Sequence, residues 1–360
     1  MNNILKKPGD EASIVEKIDW LKKINREHSD FFCSPDQDLL RGFYRSQHPT
    51  EICAFKCMDG RIHLPYITKT PLGIIQPFRN LAGKFDLGWP YLGQAFENWV
   101  KYSISKVRKC LVMVTYHFSA GNNEHRGCAG FDYDKQAALN FTAQFKAQIE
   151  RVFGVEHSVV YPIIVGLETD TDSLIFHGAG DATLDLGKID AKTDPEILRQ
   201  QLAKLYPEMS ATMINDLLPM VLGNLQHIAE IKASERAIID SEHREFIIGI
   251  GRGFDWLHEP NIALLIGPYS LDLYQPVKTA MEIIQHNMEA GRIKNDGFIV
   301  LTSAPYYRSL GIDKFRAIEK TKVLTNLAKE VAAKRFPVLQ PKMHIISAIV
   351  DNETREIEEV

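Results

Sequence analysis

A chain of 360 residues is long enough for about two domains, each with its own buried core. Hydrophobic residues at 45% and charged residues at 24% match an ordinary globular protein and exclude wholesale disorder or a fibrous repeat. With 42 Lys plus Arg against 46 Asp plus Glu, the formal net charge of -4 provides no field to hold nucleic acid, which is excluded as a partner.

The opening residues, MNNILKKPGDEAS, carry lysines with no apolar run behind them, and their Asp and Glu argue against a transit peptide. No apolar run approaches the roughly 18 residues of a helical span, so no membrane contact is expected and the setting is the cytoplasm. From Ser13 to Glu27, Ile14, Ile18, Leu21, Ile24 and Trp20 recur at helical spacing, giving an amphipathic helix within an N-terminal arm at 1–45. From Glu51 the pattern becomes β-rich runs separated by helical stretches: EICAFKC, GIIQPF, CLVMVTYHF and VVYPIIVGLE, with helices around 91–107 and 133–153. Such alternation implies a mostly parallel sheet flanked by helices, an α/β fold. A helical connection over Asp194 to Glu235 leads to a boundary near Arg236, giving domains at 46–236 and 237–360.

Beyond that boundary the order repeats: EFIIGIGRGF, IALLIGP, GFIVLTSAP and MHIISAIVDNETREIEEV, with helices at 275–290 and 314–335. Superposing the halves puts Ile163–Phe176 against Ile345–Glu358 and VTYHF against LTSAP, consistent with a diverged internal duplication. In that alignment Cys57 falls opposite Gly251 and His117 opposite Ala304.

Chemistry concentrates in the first half. Cys57 ends one strand, His117 stands at the end of another, and Cys128 follows after ten residues. Parallel strands finish on one edge of their sheet, so these residues can converge there. Two thiolates and an imidazole suit zinc, and a catalytic zinc has three protein ligands and one open position. His125, in HRGC, is a rival ligand, although anchoring at a strand end favours His117. Asp59 and Arg61 lie on one side of an extended segment, where the guanidinium can grip the carboxylate bidentately. Cys33, Cys53 and Cys110 read as small buried apolar residues. An odd, sparse count of five cysteines is no disulfide framework. ETDTDS at 168–173 reads as a polar turn because it lacks the spaced ligands of a calcium loop. GRG at 251–253 lacks the parts of a nucleotide loop. His63 reads either as a proton relay or as a surface histidine.

C-x-D-x-R followed by a His and a Cys resembles the β-type carbonic anhydrases, and FRNLAG at 78–83 is similar to their RNAG segment. YHF with GCAG at 127–130 and GLETDTDSLIFH at 166–177 resembles the carboxysome-shell, ε-type branch, which has the longer gap between His and Cys. GRGFDWL at 251–257 is similar to its second half, so the likeness runs from about Glu51 to the C-terminus. The resemblance implies ligands Cys57, His117 and Cys128 for Zn2+, a dyad of Asp59 and Arg61, and a second copy without metal ligands. The implied reaction is reversible hydration of CO2 to bicarbonate and a proton, with zinc lowering the pKa of a bound water to about 7. Related zinc hydrolases of carbon disulfide or carbonyl sulfide, and a scaffold with structural zinc, are the competing readings. The resemblance also raises a homodimer or larger homo-oligomer, and shell or Rubisco association. The short front segment, against the long extension of carboxysomal members, points to the free cytoplasm.

Overall fold

The computed structural model describes residues 6–122, 126–154, 159–234, 242–257 and 259–360. The expected boundary at Arg236 lies outside the described residues. The chain divides into two compact units. One comprises Leu40–Cys57 and Ile62–Glu242, and the other comprises Met1–Leu39, Met58–Arg61 and His243–Val360.

The first of these units is built on a six-stranded sheet ordered β2-β1-β3-β4-β5-β6. Its strands are β1 (Glu51–Cys57), β2 (Ile75–Asn80), β3 (Cys110–Phe118), β4 (Val160–Glu168), β5 (Ser173–His177) and β6 (Thr183–Asp185). β2, β1, β3 and β4 are parallel, and β5 and β6 add antiparallel strands beyond β4. β3 is buried at every position, as a central parallel strand covered on both faces must be, which is why it reads as one unbroken apolar run. In β1, Phe55 stacks on Phe78 at 4.7 Å and meets Phe85, Phe96 and Phe145 edge-on at 4.9 to 5.1 Å. Phe96 comes from α4 (Pro90–Ser105) and Phe145 from α5 (Lys135–Phe153), so this cluster seats those helices on the sheet. Asp134 caps α5 by accepting from the backbone N–H groups of Gln136 and Ala137. After α6 (Pro195–Leu205), α7 (Ala211–Ala233) returns along the unit, and its Asp216 accepts from the Thr50 backbone N–H and hydroxyl just before β1.

The other unit has a five-stranded sheet ordered β11-β10-β9-β7-β8. Its strands are β7 (Ile247–Gly251), β8 (Ala263–Ile266), β9 (Phe298–Tyr306), β10 (Met343–Asp351) and β11 (Ile357–Glu359), with helices α8 (Tyr274–Glu289) and α9 (Gly311–Arg335). The arm's helix runs further than the spacing predicts, as α1 (Ile14–Cys33) opened by a Ser13/Glu16 capping box. A second helix, α2 (Pro35–Gln47), follows it. Buried α1 residues pack in this unit, where Asn25 donates to the Arg355 carbonyl at 3.0 Å and accepts from the Ile357 N–H. Among the described residues no helix is long and apolar enough to cross a membrane.

The two sheets repeat one another over five strands, with β6 present in the first alone among the described residues. Each has its first strand between its second and third, a fourth parallel strand beyond, and then an antiparallel neighbour. Register follows the alignment of the halves: His117 pairs with Leu167 and Ala304 pairs with Ile349. The following hairpin differs, with Glu168 opposite Ser173 in one sheet and Val350 opposite Ile357 in the other. Gly251, at the position of Cys57, has φ 127, and a Cβ there would stand 1.9 Å from the Ser303 carbonyl oxygen. The second copy therefore lacks not only the thiol but the room for any side chain. Gly251→Cys is expected to lower unfolding stability by about 1–3 kcal/mol, measured by denaturant unfolding. An unchanged midpoint would show that this backbone tolerates a Cβ.

Candidate metal centre

The site starts from register. β1 and β3 are adjacent and parallel, with Ile52 opposite Leu111 and Phe55 opposite Val114, so they run out on the same edge of the sheet. Cys57 is the last residue of β1, and His117 is the last but one of β3. Cys128 returns after the ten-residue connection and immediately precedes a single 3-10 turn at Ala129–Phe131. The Cys57 and Cys128 sulfurs and a His117 ring nitrogen all lie within 4.8 Å of one another, and all three residues are buried.

The neighbouring turn shows how closely the backbone is drawn in. β2 ends at Asn80, opposite Cys57, and the chain then turns through Ala82 and Gly83 at φ 57 and 67. The Asn80 amide donates to the Lys84 carbonyl at 2.7 Å and closes the turn. A Cβ on Gly83 would lie 3.3 Å from the Thr115 carbonyl oxygen and 3.4 Å from the Cys57 nitrogen. Glycine suits both the left-handed φ and the approach to the ligand-bearing strands. That is the structural content of the FRNLAG segment.

The donor chemistry fits a thiophilic cation. A hydrogen bond with the Cys128 thiol, burial and the closeness of that second sulfur push the Cys57 thiol well above its usual range, with His117 opposing them. Two thiols and an imidazole gathered in a buried place where Cys57 resists ionisation are suited to a metal ion, whose charge would stabilise the thiolates. The remaining cysteines have other surroundings. Cys53 and Cys110 are buried in the core, and burial pushes the Cys110 thiol up to about 11. Cys33 departs from the expectation of burial: it is exposed at the end of α1, with its thiol 3.7 Å from the Thr354 carbonyl.

Asp59 and Arg61 form the expected fork. Arg61 Nε lies 3.0 and 3.2 Å from the two carboxylate oxygens, Nη2 donates to Oδ2 at 2.6 Å, and the Arg61 backbone N–H donates to Oδ1 at 2.8 Å. The pair is buried, with side chains 4% and 2% exposed. Two further residues hold it that the sequence did not single out. His243 Nε2 lies 3.0 Å from Arg61 Nη2, and Glu245 lies 3.0 Å from His243 Nδ1 and accepts from the Gly60 N–H at 3.1 Å. Arg61 can only donate, so His243 accepts at Nε2 and carries its hydrogen at Nδ1 toward Glu245. Asp59, His243 and Glu245 also bring donor atoms within 4.8 Å of one another. A cation there would meet the Arg61 guanidinium already seated on Asp59 and His243.

Other sequence candidates resolve differently. His63 is buried rather than superficial, and its Nδ1 accepts from the Tyr66 N–H at the start of the short helix α3 (Leu64–Ile67). His125, the rival ligand, lies outside the described residues. Glu168 and Asp170 of the ETDTDS segment accept hydrogen bonds from neighbouring backbone N–H and hydroxyl groups, the polar turn its composition suggests.

Comparison with known proteins places these residues in a family context. The family model for the carboxysome shell carbonic anhydrase catalytic domain matches residues 44–229, a stretch holding Cys57, Asp59, Arg61, His117 and Cys128. The carboxysome shell carbonic anhydrase of Hydrogenovibrio crunogenus is 28% identical over 247 residues, 58% of this chain and 45% of that protein. That of Prochlorococcus marinus subsp. pastoris is 25% identical over 239 residues, 57% of this chain and 46% of its own. That of Halothiobacillus neapolitanus is 27% identical over 139 residues, 34% of this chain and 26% of its own. The match thus spans about half the length of such relatives, or less.

His117→Ala is expected to lose most bound divalent metal, whereas His125→Ala keeps it, as read by elemental analysis of the purified proteins. Near-normal metal in the His117 variant would reassign the imidazole ligand.

Proposed function

Because this chain belongs to the carboxysome shell carbonic anhydrase family, we propose that it catalyses reversible hydration of carbon dioxide to bicarbonate and a proton, with zinc held by Cys57, His117 and Cys128. The observation that carries this reading is the convergence of two buried thiols and an imidazole at the ends of neighbouring parallel strands, inside the matched stretch. Zinc bound by such ligands supplies Lewis acidity that makes water nucleophilic near neutral pH. Three donors gather among the described residues, and a tetrahedral ion with three protein ligands keeps one position for substrate or water, whereas closed structural sites use four.

The protein's own part is to hold and orient a hydrogen-bond acceptor. Asp59 follows Cys57 by two residues, and covalent reach keeps its Cα within about 7 Å of that ligand's. Arg61 occupies both carboxylate oxygens from one side, which fixes the carboxylate plane and favours its ionised, acceptor-only form. A carboxylate so fixed would accept a hydrogen bond from the attacking water or hydroxide and aim its lone pair at the substrate carbon, the proton itself passing to solvent or buffer. His243 in turn meets the Arg61 guanidinium and is held by Glu245.

The same proposal covers the wider assignments. Residues 46–236 form the metal-binding domain, close to the matched 44–229. Residues 1–45 form the arm, and 237–360 a second copy without ligands. Relatives named as carboxysome shell proteins favour association with a carboxysome over the free cytoplasm. The test is stopped-flow CO2 hydration on protein of measured zinc content. Asp59→Asn should keep its zinc and lose about 100-fold or more in hydration rate. A fully active Asp59→Asn protein would remove the carboxylate from the mechanism, and zinc-loaded wild-type protein without hydration activity would overturn the function.

A further inference from the structure

Two of the proposed ligands, His117 and Cys128, are joined by a ten-residue stretch that carries the second thiol back to the sheet edge. Cys57 and His117 are set by a parallel ladder, but Cys128 has no such support, since it lies beyond the end of β3. A flexible connection of this length would leave its terminal thiol free over many positions, and a metal would have to order it on binding.

The turn between β4 and β5 grips this connection at both ends. Thr169 donates its backbone N–H to the Phe118 carbonyl at 2.9 Å, and its hydroxyl lies 3.1 Å from that oxygen and 3.5 Å from the Arg126 carbonyl. Phe118 follows one ligand directly, and Arg126 is two residues before the other. Asp170 repeats the pattern with side chains. It accepts from the Ser119 hydroxyl at 2.8 and 2.9 Å and from the Gly121 N–H at 2.8 Å, and it pairs with Arg126 Nε at 3.4 Å. Glu168 adds a bond from the Ala120 N–H at 3.1 Å. The fit around Gly121 is close: a Cβ would stand 2.6 Å from an Arg126 guanidinium nitrogen and 3.0 Å from an Asp170 carboxylate oxygen. Glu168 is itself fixed by the N–H groups of Asp170 and Thr171 and by the Thr171 hydroxyl, so the turn is a rigid support.

We infer that Glu168, Thr169 and Asp170 are positioning residues that staple the two ends of the His117–Cys128 connection and present the Cys128 thiol to the metal. The inference rests on the zinc reading above and adds a cause for the ETDTDS segment that neither a calcium loop nor a plain hairpin turn supplies. It locates control of metal retention on the β4–β5 turn, remote in sequence from all three ligands. Supporting groups of this kind typically change metal affinity by about 10–100-fold when removed.

The test uses the full chain in three forms: wild type, Asp170→Ala and the milder Ser119→Ala. Zinc release to a chromogenic chelator is timed, and the thiolate-to-metal charge-transfer band is recorded after cobalt(II) substitution. Asp170→Ala should release zinc about 10–100-fold faster and show a weakened charge-transfer band, because one of two thiolates is held less firmly. Ser119→Ala should move both readings in the same direction by less, and it decides the question if Asp170→Ala fails to fold. A fall in thermal midpoint with unchanged release rate and unchanged cobalt spectrum would overturn the inference, leaving the turn a merely structural support. Wild-type protein that takes up no zinc would instead overturn the metal reading itself, which keeps the two failures distinct.

Discussion

Cys57 and His117 meet because β1 and β3 are neighbours in a parallel ladder, and this pairing is the constraint on which the site depends. Parallel strands must return to the same edge before each new pass, so side chains far apart in sequence share one rim. The aromatic cluster around Phe55 seats α4 and α5 on the same sheet and so fixes the rim from below. Thr115 lends its hydroxyl to the Phe55 carbonyl at 2.9 Å, which ties the two ligand-bearing strands together just beneath their ends. A shift in that register would separate the thiol from the imidazole, whatever the loop carrying Cys128 did.

Much of this was legible in the residues because a buried parallel strand has a plain signature. CLVMVTYHF is apolar at nearly every position and coincides with β3, and EICAFKC coincides with β1. That Cys57, His117 and Cys128 could gather was legible for the same reason, since each stands at a recognisable strand end or in a Gly-rich loop. Where the pattern was weak, the reading stopped short. α2 does carry Leu39, Leu40, Phe43 and Tyr44 at helical spacing, but three of them are exposed and Arg41 is buried, so this stripe is short and does not mark a core-facing side. β6 and β11 span three residues each, too few for alternation to register. Cys33 looked like the other small cysteines, yet its exposure depends on where α1 ends.

Long-range polar partners were not legible at all. Nothing local to HRE at 243–245 signals that Glu245 will accept from Gly60, because the two are 185 residues apart and only the fold joins them. The same holds for the β4–β5 turn. Its acidic residues looked like generic turn formers, and their bonds to Ser119, Ala120 and Gly121 become visible only once β3 and β4 are paired. Backbone and carboxylate groups that must be satisfied on burial choose partners by proximity, and proximity is set after the strands have found their register.

The same logic explains what the second copy can and cannot have kept. Its sheet repeats the strand order of the first five strands and the register of the third and fourth, yet Gly251 sits at a φ and a distance from Ser303 that admit no side chain, and Ala304 stands at the position matching His117. The position matching Cys57 is therefore closed to a side chain as well as lacking a thiol. What remains is a role toward residues 58–61, which leave the sheet directly after Cys57 and belong to the compact unit of the second copy. There the Met58 carbonyl accepts from the Leu265 N–H at 2.8 Å, the Gly60 carbonyl accepts from the Asn261 N–H at 2.8 Å, and Gly60 and Arg61 meet Glu245 and His243. A Cβ on Gly60 would lie 2.7 Å from the Ala263 carbonyl oxygen, so this segment can lie against the β8 strand only as bare backbone. The peptide carrying Asp59 and Arg61 is thus fixed by backbone and side-chain bonds from the compact unit that holds the second sheet, so that sheet has a structural task that needs no metal ligand of its own.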